Sequence, residues 1–162
     1  MNSIRNSARL VTIAASVVAL GAGVSAANAS AQTFHGKDSF DPTGDVFTCS
    51  AGDLTVTGGI VNETFAGVQD NTGTYHFTDT IVPKGVTLTD GANTYYLSGT
   101  SWFGQSSDDP SGDTVLVTTT TDHFVIRDAN GGVYAKVSVV EHMSPDGGSF
   151  VKDSGACEEP AG

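Results

Sequence analysis

The chain is poor in basic residues. It has 7 Lys and Arg against 18 Asp and Glu over 162 residues, which gives a formal net charge of −11 at pH 7. An acidic surface of this size repels the phosphates of nucleic acids and the headgroups of anionic lipids. Nucleic acids and membrane surfaces are therefore poor partners, and the simplest role of the charge is to keep the protein soluble.

The sequence also lacks the familiar motifs of catalysis and metal binding. It contains no Gly-x-Ser-x-Gly, no His-Glu-x-x-His and no glycine-rich phosphate loop. Asp122 and His123 are adjacent, but neighbouring strand residues point to opposite faces, so they cannot form a base and its orienting carboxylate. The acidic clusters at 38–45 and 108–113 lack the spacing of a calcium loop and match ordinary turn chemistry. We therefore predict no cofactor, no metal site and no assembled catalytic set.

Residues 1–31 have the three-part layout of a secretory signal peptide. Two arginines precede an apolar run from Leu10 to Leu20, and two overlapping Ala-x-Ala patterns follow within 27–31. The run is too short to cross a bilayer comfortably, and no second apolar stretch follows it. We predict a secreted, extracellular protein that begins between Ser30 and Gln32 and has no membrane span. An uncleaved N-terminal anchor is the alternative. Cleavage would remove both arginines and leave a net charge of −13.

Only two cysteines are present, Cys49 and Cys157. An oxidising compartment favours their pairing, and two cysteines allow only one intramolecular disulfide. The bridge would close a loop over most of the mature chain, which the loop-entropy model values at roughly 4 to 5 kcal/mol. No Cys-x-x-Cys or Cys/His cluster accompanies them, so the spacing favours a disulfide over a metal site.

Helical periodicity is absent, whereas Thr, Val, Tyr and Phe are common from Val46 onward. Turn residues recur about every 8 to 12 positions, which is typical of an all-β sandwich or barrel. The predicted strands are 46–50, 54–65, 74–82, 86–89, 94–103, 114–127, 133–143 and 150–152. Seven or eight antiparallel strands in up-and-down order can close and remove their exposed edges. We predict a small antiparallel up-and-down β-barrel, with a two-sheet β-sandwich as the second choice.

Three local features complete the predicted organisation. Gly58-Gly59 interrupts the second strand, either as a hairpin turn or as a bulge in one long strand. The turn residues Pro83 to Gly85 are predicted to end the strand before them. The short polar segment 32–45 is predicted to be a flexible N-terminal arm, so the single β-domain spans 46–162.

Strand alternation places two carboxylates in line with apolar positions. Asp79 shares parity with Phe77 and Ile81, and Glu141 shares parity with Val137 and Val139. An inward carboxylate is costly unless it is paired or faces a wet cavity. Arg127, in line with Val125 on its own strand, is a candidate partner. We predict that Asp79, Glu141 and Arg127 line a ligand site at the barrel mouth; the alternative is that both carboxylates lie at strand ends and reach water.

Paired aromatic residues put rings on both faces of another predicted strand. They are Tyr95-Tyr96 and Trp102-Phe103. One ring of each pair must pack inside, and the other is left at the surface, where it could stack on a sugar or a partner protein. Trp102 is therefore a further candidate ligand-binding residue, although aromatic residues are also ordinary strand formers.

The whole pattern resembles a loosely defined group of small secreted actinobacterial β-rich proteins. The features that carry the resemblance are the early Cys49, the Gly-x-x-Tyr-like region 73–77, the Asn130-Gly131 turn and the late Cys157. In region 73–77, Tyr75 follows Gly73 by two positions instead of the three of the Gly-x-x-Tyr pattern. The resemblance implies an architecture but no activity for any residue. The chain is also similar, without a diagnostic motif, to allene-oxide-cyclase-like and dirigent-like barrels, whose members enclose small apolar ligands.

Two functions are consistent with these features. The first is a secreted, non-enzymatic module that binds or shields a partner at or outside the cell surface. The second is a barrel that binds a small apolar ligand and acts as a cyclase or isomerase, with Asp79, Glu141 and Arg127 at its mouth. An unfilled apolar interior would favour the second function. The predicted partner is therefore either a small molecule or a component of the cell surface.

Overall fold

A computed structural model describes residues 33–112, 114–158 and 160, and the regular structure in these ranges is entirely β-strand. None of these residues lies in a helix that could span a membrane. The predicted signal peptide lies outside the described residues. The strands are β1 (Thr33–Phe40), β2 (Val46–Cys49), β3 (Leu54–Gln69), β4 (Tyr75–Thr89), β5 (Thr94–Ser107), β6 (Val115–Asp128), β7 (Val133–Met143), β8 (Ser149–Asp153) and β9 (Cys157–Glu158).

The strands form one antiparallel sheet in the order β8-β7-β6-β5-β4-β3-β2-β9. The long β3 has two partners on the same side, because β2 pairs with its beginning and β1 pairs with its second half. The sheet curls into a half-barrel. The predicted all-β, up-and-down architecture is therefore confirmed.

The C-terminal segment ties the two sides of the half-barrel together at one end. The Ala156 N–H donates to the Lys136 carbonyl of β7, while the Ser50 N–H beside β2 donates to the Ala156 carbonyl. At the same end Cys49 and Cys157 face each other in β2 and β9 and form a disulfide of 2.00 Å. The predicted pairing is confirmed. We call this end the closed end, and the opposite end, where β1 and β8 lie, the open end.

The core fills only the closed end. Leu54, Leu88, Ile126 and Val137 have no solvent exposure, and they belong to one cluster contributed by β2 to β7 and β9. At the closed end of β3 and β7 the buried residues alternate with exposed ones, as expected for strands with one buried face. The concave face is thus packed with aliphatic side chains at the closed end and is less covered at the open end.

A bulge at Gly58-Gly59 changes the face that β3 presents. The pairing of β3 with β4 shifts register on both sides of Gly58. Gly59 has a φ of 108°, and a Cβ there would lie 2.5 Å from the Val86 Cα. Only glycine therefore fits, and of the two alternatives the bulge is correct.

Two sequence predictions are wrong in this region. β4 does not end at Pro83 to Gly85 but runs through them, because its pairing with β5 is interrupted between Ile81 and Thr87 and a proline without an N–H is tolerated there. The segment 32–45 is not an unpaired arm, since all of β1 pairs with β3. The Phe65 ring lies over Gly36 of β1, a contact that a larger residue would block.

Candidate functional site

The concave face at the open end carries a mixed row of aromatic and acidic side chains. Cross-strand pairing aligns Phe65, Asp79, Phe103, Thr120, Glu141 and Val151 in one row across β3 to β8. The next row towards the closed end contains Glu63, Ile81, Ser101, Asp122, Val139 and Asp153 in the same strand order. Residues in such rows share one face of the sheet. We call this surface the concave site.

Apolar side chains in the concave site, and in the adjacent row of the same face towards the open end, are only partly covered. Phe34 and Met143 are 47% and 52% exposed, and Val151 is 63% exposed. The Phe34 and Phe77 ring centroids lie 5.7 Å apart, and Tyr75 stacks on Phe77 at 6.3 Å. The open end therefore has an apolar wall without the packed core that fills the closed end.

Glu63 and Asp79 form a carboxyl pair in this wall. Glu63 of β3 and Asp79 of β4 are diagonal neighbours on the same face of the sheet, and a hydrogen bond between the two carboxyl groups contributes to the pKa of each. Burial, this hydrogen bond and the charges of Asp79 and Asp38 raise the pKa of Glu63 to about 7. Burial also raises the pKa of Asp79, in spite of the hydrogen bonds that it accepts from Glu63 and from the Thr80 N–H. We infer that the pair shares one proton near neutral pH.

Asp79 is the deeper member of the pair. Its side chain is 6% exposed, and its Oδ1 is buried without a hydrogen-bond partner. Such an orphaned acceptor is rare and costly in a folded protein. Glu63 is only half-buried and is the member that a molecule entering the half-barrel would meet.

A second buried carboxylate lies in the same row as Glu63. Asp122 is buried on β6, and its Oδ1 accepts a hydrogen bond of 2.5 Å from the Ser101 hydroxyl of β5. His123 lies on the opposite, exposed face, as the alternation of strand residues predicts. The Ser101 hydroxyl stabilises the charge of Asp122 through this hydrogen bond.

Basic side chains of the described strands lie away from the concave site. The register puts Lys37, Lys136, Lys152 and Arg127 on the convex face, and Lys84 lies opposite the exposed Ile60. Within the strands that the structure describes, no Lys or Arg side chain therefore lies on the face that carries these carboxylates. No group of three or more His, Cys, Asp or Glu within 33–112 and 114–158 is arranged to hold a metal ion.

The structure separates the four residues predicted to bind a ligand. Asp79 and Glu141 share one concave row, with Asp79 buried and Glu141 exposed. Arg127 is not near them: it lies on the convex face and donates to the Gly131 carbonyl at 3.1 Å. The prediction that Arg127 follows the apolar face is wrong, because the buried face of β6 is that of Phe124 and Ile126.

Trp102 is 40% exposed on the convex face, while Phe103 points to the concave side. Tyr95 and Tyr96 divide in the same way, with Tyr95 buried and Tyr96 exposed. The prediction that one ring of each pair packs inside is confirmed for Tyr95, whereas Phe103 is only partly buried on the concave side. Whether the exposed ring binds a ligand stays a prediction.

Glu63 is the central residue that the sequence analysis missed. It lies between Val61 and Phe65, which share its parity and were visible as apolar positions after the glycine pair. The sequence therefore contained enough information to place Glu63 on the inward face of its strand. The partner could not be read in the same way, because pairing Glu63 with Asp79 depends on the register that the bulge sets.

Comparison of the chain with protein-family models, with curated proteins and with solved structures gives no match. The resemblances to secreted actinobacterial proteins and to allene-oxide-cyclase-like or dirigent-like barrels stay predictions. The role of the protein has to be argued from the concave site and the surface around it.

Proposed function

We propose that this is an exported, non-enzymatic binding protein whose half-barrel takes up a small organic cation with an apolar body, at or outside the cell surface. The observation that carries the proposal is the Glu63–Asp79 pair, two neighbouring carboxyl groups with raised pKa values inside an uncovered aromatic wall. The uncovered apolar side chains of this surface define the apolar body of the ligand, and its carboxylates define the cationic group.

The apolar body of the ligand follows from the uncovered side chains. Contiguous exposed apolar surface on a soluble protein marks a binding site more often than chance. The neighbouring rings of Phe34, Phe77 and Tyr75 offer such a surface, while the core at the closed end is already filled. A flat ring or short alkyl chain would remove these side chains from water and gain about 25 cal/mol for each Å² of apolar area buried.

The cationic group follows from the charges. The concave site has several carboxylates and no Lys or Arg on the described strands that form it. Glu63 and Asp79 therefore hold a proton where an ion pair would otherwise form. A ligand ammonium beside Glu63 would replace that proton, and the aromatic rings would add cation–π attraction. The net charge of −11 attracts cations and repels anions.

Export is supported by the disulfide between Cys49 and Cys157, a bond that persists in oxidising compartments. N-terminal sequencing of protein collected from the medium tests this part of the proposal. A start between Ser30 and Gln32 is expected, and a chain that still carries Arg5 would contradict it.

Binding is tested by NMR titration with three probes of the same body: phenethylamine, phenethyl alcohol and hydrocinnamate. We expect phenethylamine to bind tightest and hydrocinnamate weakest, with shifts at Phe77, Phe103 and their neighbours. Glu63→Gln should weaken phenethylamine binding about tenfold, which corresponds to about 1.4 kcal/mol. Glu141→Gln is the matched control on the same face and should have a smaller effect. Equal binding of all three probes, or shifts confined to the convex face, would contradict the proposal.

An acid–base enzyme is the second candidate, in line with the predicted cyclase or isomerase. The observation that favours it is the pKa of about 7 at Glu63, because a general acid or base works best near the operating pH. Glu63 would then transfer the proton, and Asp79 would adjust the pKa of Glu63. A turnover that Glu63→Gln abolishes, with phenethylamine as an inhibitor, would favour this function over simple binding.

A further inference from the structure

A hydrogen-bonded chain of Asp70, His76 and Ser106 lies on the convex face, on the other side of the sheet from the concave site. His76 Nε2 is 3.0 Å from Asp70 Oδ2, and His76 Nδ1 is 3.2 Å from Ser106 Oγ. His76 of β4 and Ser106 of β5 are direct cross-strand partners. The sheet therefore holds the imidazole and the hydroxyl side by side on a rigid element.

The turn before β4 orients the carboxylate. Asp70 Oδ1 accepts hydrogen bonds from the Thr72 N–H at 2.8 Å, the Thr72 hydroxyl at 2.6 Å and the Thr74 N–H at 3.0 Å. These bonds and the contact with His76 hold the pKa of Asp70 well below its usual range. The ionised carboxylate keeps the imidazole proton on Nε2, so the lone pair of Nδ1 faces Ser106. Ser106, His76 and Asp70 are thus linked in space as a nucleophile, a base and a group that orients the base.

A shallow depression of about 250 Å³ adjoins Ser106. Trp102 and Val117 give it apolar walls, and Thr78 and Thr119 add hydroxyl groups. Gly104 makes room for the indole, because a Cβ there would lie 2.4 Å from the Trp102 ring. The volume is below the roughly 300 to 1,000 Å³ of pockets for drug-sized ligands, so it fits a short acyl group.

The threonine hydroxyls are the available donors for a developing oxyanion. β5 pairs with β4 on one side and with β6 on the other, so the ladder engages its backbone N–H groups. Thr119 Oγ1 lies 2.9 Å from His142 Nδ1. When that nitrogen carries the proton and donates to Thr119, the threonine hydroxyl hydrogen is left to donate into the depression.

We propose that Ser106 is a nucleophile that takes the acyl group from small uncharged esters. The Ser106 Oγ forms a bond to the carbonyl carbon and passes its proton to His76 Nδ1, while the carbonyl electron pair moves onto oxygen. The ester C–O bond then breaks, and His76 returns the proton to the leaving alkoxide. Water repeats the cycle on the acyl-serine, which yields the carboxylic acid and restores Ser106. This activity is separate from ligand binding at the concave site.

The test uses an alkyl fluorophosphonate, which phosphonylates an activated serine with loss of fluoride, and p-nitrophenyl acetate as the ester. Peptide mass spectrometry is expected to find one adduct, on Ser106. Ser106→Ala should abolish labelling, and His76→Gln should slow it about 100-fold, the lower part of the range for general base catalysis. Asp70→Asn should slow it at least about tenfold, because the amide no longer fixes the imidazole tautomer. Ester hydrolysis should fall in parallel.

Ser98→Ala is the matched control, since Ser98 lies on the same face of β5 and donates to the Val125 carbonyl instead of to a histidine. It should be labelled like the unchanged protein. The native protein offers a second measurement that needs no variant: the labelling rate must rise with pH and then level off, as expected when a base accepts the serine proton. Absence of an adduct, an adduct spread over several serines, a rate unchanged in His76→Gln or a rate independent of pH would each overturn the proposal.

Discussion

Replacing Glu63 by Gln is the perturbation that follows most directly from the concave site. In the folded protein the pKa values of Glu63 and Asp79 are both raised, that of Glu63 from 4.5 to about 7. A group with a raised folded-state pKa contributes stability that is complete below its unfolded pKa. That contribution is lost as the pH rises from about 4.5 through about 7. The unchanged protein should therefore become less stable over this window.

The magnitude follows from the shift of Glu63. A change from 4.5 to about 7 corresponds to roughly 3 kcal/mol at about 1.4 kcal/mol per pH unit. Glu63 is only half-buried, so solvent screening reduces this to about 1 to 2 kcal/mol. In Glu63→Gln the amide N–H₂ donates to the Asp79 carboxylate and the repulsion disappears. The free energy of unfolding of the variant should exceed that of the unchanged protein by about 1 to 2 kcal/mol at pH 8 and by much less at pH 4.

Urea unfolding at a series of pH values measures the difference, and thermal midpoints should separate by roughly 3 to 8 °C at pH 8. Glu141→Gln makes the same chemical change at an exposed position of the concave site, so its profile should follow that of the unchanged protein. Identical pH profiles for Glu63→Gln and the unchanged protein would refute the shared proton.

Three further predictions concern stability and titration away from the pair. Cys157→Ala should lower the free energy of unfolding by about 2 to 5 kcal/mol, measured in urea without reductant, and no loss would mean that the bridge is dispensable. Gly59→Ala should cost about 1 to 3 kcal/mol, because its φ of 108° and its contact with Val86 exclude a Cβ; a wild-type thermal midpoint would contradict the bulge. Asp90→Asn should move the pKa of Tyr95 from about 12 towards 10, because the carboxylate hydrogen bond and charge raise it, and ultraviolet titration would show no change if the 2.8 Å contact were absent.

The strand pattern was predictable because it depends on local information. Turn residues and alternation located β5, β6 and β7, and Asp79 followed from parity within its own strand. Parity alone does not tell which face of a strand is buried. Arg127 was assigned to the apolar face by its valine neighbours, although these valines lie on the less covered side of β6.

The pairing of Glu63 with Asp79 could not be predicted, because it is a contact between strands. Its register depends on a bulge at Gly58-Gly59 that the sequence left open between two alternatives. The chain of Asp70, His76 and Ser106 is hidden for the same reason: His76 and Ser106 are thirty positions apart and meet only through the register of β4 and β5. A short polar segment such as β1 was misjudged because its few apolar residues gain their contacts from β3.

Calorimetric titration with phenethylamine at pH 6, in buffers of different ionisation enthalpy, tests the central claim most directly. At this pH the Glu63–Asp79 pair carries its shared proton, because the pKa of Glu63 is about 7. An ammonium group that binds beside Glu63 should expel that proton, so up to about one proton per bound ligand should appear in the buffer. Glu63→Gln should release none. Binding without proton release in the unchanged protein, or equal release in the variant, would contradict a cation site built on this carboxyl pair.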